Sequence, residues 1–162
     1  MLSSTGVPLK EDLEKVFPNS VRLSQGAVAV IECFQNIPCN PCYTACNRNA
    51  IKEFQDINDL PIMDHELCNG CGLCISKCPG LAIMVVDMTY SDHEALLKIP
   101  YEFLPLPSEG DIVKGLDRSG EYVCDVRVIK ALHTKALDRT PIISIAIPKA
   151  YVHTIRNIGM GD

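Results

Sequence analysis

Eight of the nine cysteines in this 162-residue chain fall between Cys33 and Cys78, a window of 46 residues, and the 84 residues that follow hold only Cys124. The chemistry of the chain is concentrated in that one segment. The N-terminus, MLSSTGVPLKEDLEKVF, meets Lys10 and three acidic residues before any apolar run, so it lacks the basic-then-apolar order of a signal peptide. That places the protein in the cytoplasm, where thiols stay reduced and serve metal binding or catalysis rather than disulfides.

The thiols are ordered by an internal repeat of 32 residues: Cys39, Cys42 and Cys46 superpose on Cys71, Cys74 and Cys78, and Ala50-Ile51 superposes on Ala82-Ile83. The segment is therefore a duplicated unit. Its second copy reads Cys68-Asn-Gly-Cys71-Gly-Leu-Cys74-Ile-Ser-Lys-Cys78-Pro79. Soft thiolates select zinc, copper(I) or iron-sulfur centres, and structural zinc sites usually use separated pairs. Four thiols at this tight spacing favour an iron-sulfur cubane. Gly70, Gly72 and Gly80 let a wrapped chain bring N–H groups close to sulfides, and they also read as ordinary turn glycines.

The first copy departs from the pattern. Asn36 stands where the repeat calls for a thiol, and Asn47 replaces the proline after the last cysteine. The nearest spare thiol is Cys33, giving Cys33-x5-Cys39-x2-Cys42-x3-Cys46 with Pro38 in the enlarged loop. Either Cys33 supplies the fourth ligand, or this site holds a three-iron cluster, takes another ligand, or holds nothing.

The C-x2-C-x2-C-x3-C-P run resembles that of bacterial dicluster ferredoxins, over residues 27–88. Pro61, Asp64 and Glu66, leading into Cys68, resemble the approach strand of that family. The resemblance implies two 4Fe-4S clusters about a pseudo-twofold axis, with the last cysteine of each run crossing to the other cluster. One cluster would take Cys33, Cys39, Cys42 and Cys78, Cys33 being the least regular of these. The other would take Cys46, Cys68, Cys71 and Cys74.

Ala29 through Cys42, with Pro100-Tyr101-Glu102-Phe103-Leu104-Pro105 downstream, is also similar to small iron-sulfur subunits of anaerobic flavin-dependent amino-acid or opine dehydrogenases, proline and hydroxyproline dehydrogenase complexes among them. That resemblance implies flavoprotein partners carrying FAD or FMN, with a further NAD(P)-linked flavin subunit as an option.

The flanks fix the expected architecture. Leu9, Leu13, Val16 and Phe17 space an amphipathic helix over residues 1–20, with Pro8 near its start and Pro18 ending it. Ala27 to Ile31 reads as a buried strand. From about residue 90, β-rich runs follow: 95–103, 111–116, 121–131 and 142–147. Asp117-Arg118-Ser119-Gly120 makes a hairpin turn between the middle two. Pro148 opens a final helix carrying Tyr151, Val152 and Ile155. The fold class expected is α+β: an N-terminal docking segment (1–26), a dicluster ferredoxin-like domain (27–89), and a small, mostly antiparallel β domain (90–162), in one version a partly closed barrel, for partner binding.

Composition excludes several classes. A net charge of −5, spread over both halves, argues against a nucleic-acid partner. No apolar run approaches the roughly 20 residues of a membrane-spanning helix. His65, His93, His133 and His153 show no mutual metal spacing. Cys124, in an alternating strand, reads as a small core hydrophobe. Phe34, Tyr43 and Phe54 either shield a cluster or fill a small core. No nucleophilic triad, phosphate loop or dinucleotide fingerprint appears, so the expectation is a non-catalytic electron-transfer subunit of an oxidoreductase complex. The alternatives are a free-standing ferredoxin-type carrier, and a non-redox interaction module stapled by clusters or zinc.

Overall fold

The apolar run before the first cysteines becomes strand β1 (Val28–Ile31), and all four of its residues are buried. Val28 and Val30 face one core while Ala29 and Ile31 face a second, which is why the run shows no polar alternation. Its partner β2 (Ile83–Asp87) divides in the same way, with Met84 and Val86 on the first core and Ile83 and Val85 on the second. This hairpin is a shared wall. On one side lies the larger core of the sheet, and on the other a small core built of thiols, Ile51, Ile75 and their neighbours.

The computed structural model describes residues 2–161. After β2 come β3 (Glu94–Pro100), β4 (Ile112–Leu116), β5 (Tyr122–Leu132), β6 (Ile142–Pro148) and β7 (Asn157–Gly159). Among the described residues these form one seven-stranded sheet in the order β1-β2-β3-β6-β5-β4-β7, with every neighbouring pair antiparallel. Strand β3 alternates between buried and partly exposed residues, whereas Ile142 to Ile147 of the central β6 are buried throughout. The turn at 117–120 joins β4 to β5, with Asp117 Oδ1 accepting from the N–H groups of Ser119 and Glu121. The β2–β3 pairing carries the sheet without a break from the cysteine segment into the later residues.

Two local expectations are corrected. The N-terminal stretch is not one helix but three short ones, α1 (Leu2–Thr5), α2 (Lys10–Val16) and α3 (Ser20–Leu23). Gly6 takes a positive φ of 69° between the first two, and Pro8 follows it. Leu9 is left 58% exposed, while Val16 and Phe17 pack on the larger core. At the other end, only a 3-10 turn (Lys149–Tyr151) follows Pro148; Val152 and Ile155 are buried, and the chain then enters β7.

Strands β1 and β7 are the two edges of the sheet, and their ends are joined by side chains. Glu32, just past β1, accepts from Arg118 Nε (2.8 Å) and Nη2 (2.7 Å), and from Arg156 Nε (2.8 Å), just before β7. All three side chains are nearly buried, at 9%, 12% and 6% exposed.

Candidate functional site

The 32-residue repeat is written into the backbone as well as the thiols. Tyr43 N–H donates to Asn40 O as Ile75 donates to Gly72 O, and Cys46 N–H donates to Tyr43 O as Cys78 donates to Ile75 O. Asn49 and Leu81, three residues after the last cysteine of each run, adopt φ values of 55° and 53°. Both N–H groups turn back to the cysteine carbonyl, at 3.4 and 3.2 Å. The ladder pair Ile31↔Ile83 has its counterpart in the bridge Ile51↔Met63. Glu32 N–H to Ala82 O (2.8 Å) has its counterpart in Asp64 N–H to Ala50 O (2.7 Å). Each copy thus contributes one strand partner to the other, a twofold exchange.

That exchange crosses the thiols. Cys33, Cys39, Cys42 and Cys78 line one cavity, together with Ile31, Phe54 and Asp59. Cys46, Cys68, Cys71 and Cys74 line a second, with Ala29, Ile51 and Arg48. In the first copy Pro41 opens a short helix, α4 (Pro41–Ala45), that carries Cys42 inward. Among the described residues, no three Cys, His, Asp or Glu side chains close on a point that would hold a single metal ion. The thiols stand around the cavities instead.

Backbone donors converge on several of the sulfurs. Ala29 and Gly70 N–H groups both reach Cys68 Sγ at 3.4 Å, and Ala82 N–H reaches Cys78 Sγ at 3.4 Å. Gly70 has a φ of 67°, and a Cβ there would stand 2.4 Å from that of Ala27, so glycine is required by close approach. Burial pushes the Cys74 thiol up to about 12 and the Cys42 thiol up to about 11, with neighbouring thiolates adding to the rise. Cys33 is raised for the same first reason, helped by Cys78. Burial also opposes ionisation of Cys46, but the N–H groups of Ile51, Arg48, Ala50 and Asn49 more than offset it, and its pKa falls below the ordinary value.

Two sets of soft donors, apolar walls and N–H groups aimed at sulfur fit a thiolate-ligated group whose charge would compensate several thiolates gathered together. The histidines stand apart from both cavities: none of the four lines either one. Cys124 packs half-buried against the larger core. Phe54 lines the first cavity with Tyr43 at 6.4 Å behind it, and Phe34 lines a wide cleft with Gly80, Leu81, Phe103 and Arg118.

Sequence reasoning passed over two features. One is the Glu32–Arg118–Arg156 group, whose only local sign is a carboxylate ending an apolar run. The other is Arg22 on α3, 5% exposed, whose signal is a single cation beside Val21 and Leu23.

A family model described as a 4Fe-4S binding domain matches residues 61–84. A ferredoxin-type protein, NapF, of Haemophilus influenzae is 33% identical over 58 residues, covering 35% of this chain and 33% of that protein. The pyruvate synthase subunit PorD of Methanocaldococcus jannaschii is 38% identical over 50 residues, covering 31% of this chain and 56% of that protein. The chain thus spans between a third and just over half the length of these curated relatives. No solved structure is a significant match. Among the described residues no helix is long and apolar enough to cross a membrane. The thiol-rich part of the chain contains a ferredoxin-type 4Fe-4S binding domain.

Proposed function

We propose that this iron-sulfur protein relays electrons through two 4Fe-4S clusters as a subunit of a larger oxidoreductase, a flavin-dependent amino-acid or opine dehydrogenase. The carrying observation is the crossed partition of eight thiols into two sets of four around two cavities. Cys33, Cys39, Cys42 and Cys78 hold one cluster; Cys46, Cys68, Cys71 and Cys74 hold the other. Thiols that surround a cavity, rather than closing on a point, favour this reading over a zinc staple.

Each bound cluster supplies one-electron redox chemistry. The chain does the rest. Ile31, Ile83 and Phe54 exclude water from one cavity, and Ala29, Ile51 and Met63 from the other. The N–H groups on Cys68 and Cys78 stabilise charge on sulfur. Residues 1–26, 27–89 and 90–162 divide by role, with the outer two serving partner docking, although one sheet runs through the last two. Phe103 and Leu104, 61% and 86% exposed, lie in the loop that follows β3, and Phe103 borders the cleft that reaches Gly80 and Leu81.

The assembly reading draws on the sequence resemblance at residues 29–42 and 100–105, and on a relative named as an enzyme subunit. Anaerobic purification from the native host tests it. The expected result is co-elution with flavin-containing subunits, and a purified chain that oxidises no amino acid by itself yet accepts electrons once those subunits are restored. A chain that elutes alone, with or without clusters, contradicts the assembly.

A further inference from the structure

Arg22 is buried without a carboxylate. Its backbone is fixed by Asn19, whose Oδ1 accepts the Arg22 N–H at 2.9 Å and caps α3. The guanidinium donates through Nε to His65 O (2.7 Å), through Nη1 to Gly26 O (3.1 Å), and through Nη2 to Ala27 O (3.0 Å) and Cys68 O (2.6 Å). The ion pairs of the described residues include no Asp or Glu within 4.0 Å of it. By contrast, the other two nearly buried guanidiniums, Arg118 and Arg156, share Glu32. Carbonyl oxygens satisfy the N–H groups of Arg22 but leave its full positive charge in a desolvated place, which is costly unless an anion lies close.

The anion is implied by where the carbonyls lead. Cys68 accepts from Arg22 through its backbone oxygen while its sulfur lines the second cavity. Ala27, another partner, lies two residues before Ala29, whose N–H reaches that same sulfur. A cluster held by four thiolates is anionic, and each electron it accepts adds one more negative charge. Thirty-two residues along, the repeat pairs Arg22 with Phe54, which lines the first cavity beside Asp59. No arginine stands at the equivalent position of the first site.

We propose that Arg22 is the counter-charge of the cluster held by Cys46, Cys68, Cys71 and Cys74, and that it raises the reduction potential of that cluster. The inference rests on the cluster reading above. Attraction across a low-dielectric wall strengthens as the cluster is reduced, so it favours the reduced form. Arg22 is a positioning and electrostatic residue here; it does not ligate.

The test uses the full chain, reconstituted anaerobically with iron and sulfide, in three variants: Arg22→Met and Arg22→Gln remove the charge, and Arg22→Lys keeps it while losing the fork. Redox titration followed by EPR should show one of the two reduction steps moved downward in the neutral variants. The expected change is about tenfold in its reduction equilibrium, ~59 mV for a one-electron couple. The other step should stay in place, and Arg22→Lys should recover most of the shift. Loss of one site's iron in both neutral variants, with retention in Arg22→Lys, supports the same conclusion. Equal shifts in all three variants, iron loss in all three, or unmoved potentials in the neutral variants overturn it and leave Arg22 a tie between carbonyls. A wild-type chain that takes up no labile sulfide refutes the cluster reading itself, a separate outcome.

Discussion

At the second cavity Ala29 donates its N–H to Cys68 Sγ at 3.4 Å. At the first, the repeat places Pro61 and Asn36 in those two positions, so the donor and the thiol are both missing. Asn36 instead donates its amide to Asn58 O at 3.0 Å, and Cys33, from outside the repeat, brings the fourth thiol to the cavity. The surroundings differ as well. Arg22 and Arg48 stand by the second cavity, whereas Phe54 and Asp59 line the first. The backbone plan of the duplicated unit survived while the side chains around it diverged. One fold can thereby offer two electronic environments, because potential follows charge, hydrogen bonds to sulfur and exposure rather than the ligand set alone.

The largest expected effect tests the crossing. Cys78→Ala should strip the first cavity although Cys78 belongs to the run of the second copy, leaving about four irons per chain on Cys46, Cys68, Cys71 and Cys74. Loss of that second site instead would undo the crossed assignment.

Next comes the join between sheet edges beside Cys33. Glu32→Ala leaves two guanidiniums buried and uncompensated, and should cost about 3–5 kcal/mol in chemical unfolding. Burial opposes ionisation of Glu32, but Arg118 and Arg156 more than offset it and hold its folded pKa below 4.5. The difference between wild type and variant should therefore be fully present above pH 4.5 and shrink as pH falls through the lowered folded value. A difference that grows on acidification would show that the carboxylate is not paired as described.

Cys33→Ala is a smaller cut at the same cavity. It should yield a three-iron EPR signal with loss of about one iron, and an unchanged spectrum would remove Cys33 from the ligand set. Cys124→Ser should leave iron content and both redox steps unmoved, since Cys124 packs with the larger core; a shifted potential would show that strand β5 communicates with a cavity.

The cysteine repeat was legible because each copy must set its thiols at the spacing its cavity needs, so the constraint is local. Strand β1 was legible from its run of apolar residues, and the alternation of β5 is plainest where Val126 and Val128 are buried. What escaped was non-local. Glu32 meets its arginines across 86 and 124 residues, and nothing near it in sequence names them. Strand β7 is three residues long and exists through its pairing with β4. Gly6 and Pro8 mark the break after α1, but the helical spacing of Leu9, Leu13, Val16 and Phe17 carries no sign of where the helix starts.

Iron and acid-labile sulfide, counted per chain on the anaerobically reconstituted wild-type protein, test the central claim most directly. Two crossed sites of four thiolates predict about eight of each, with two reduction steps resolved by EPR. About four of each would contradict the claim that both cavities hold full cubanes, and tightly bound zinc without labile sulfide would contradict the electron-relay reading altogether.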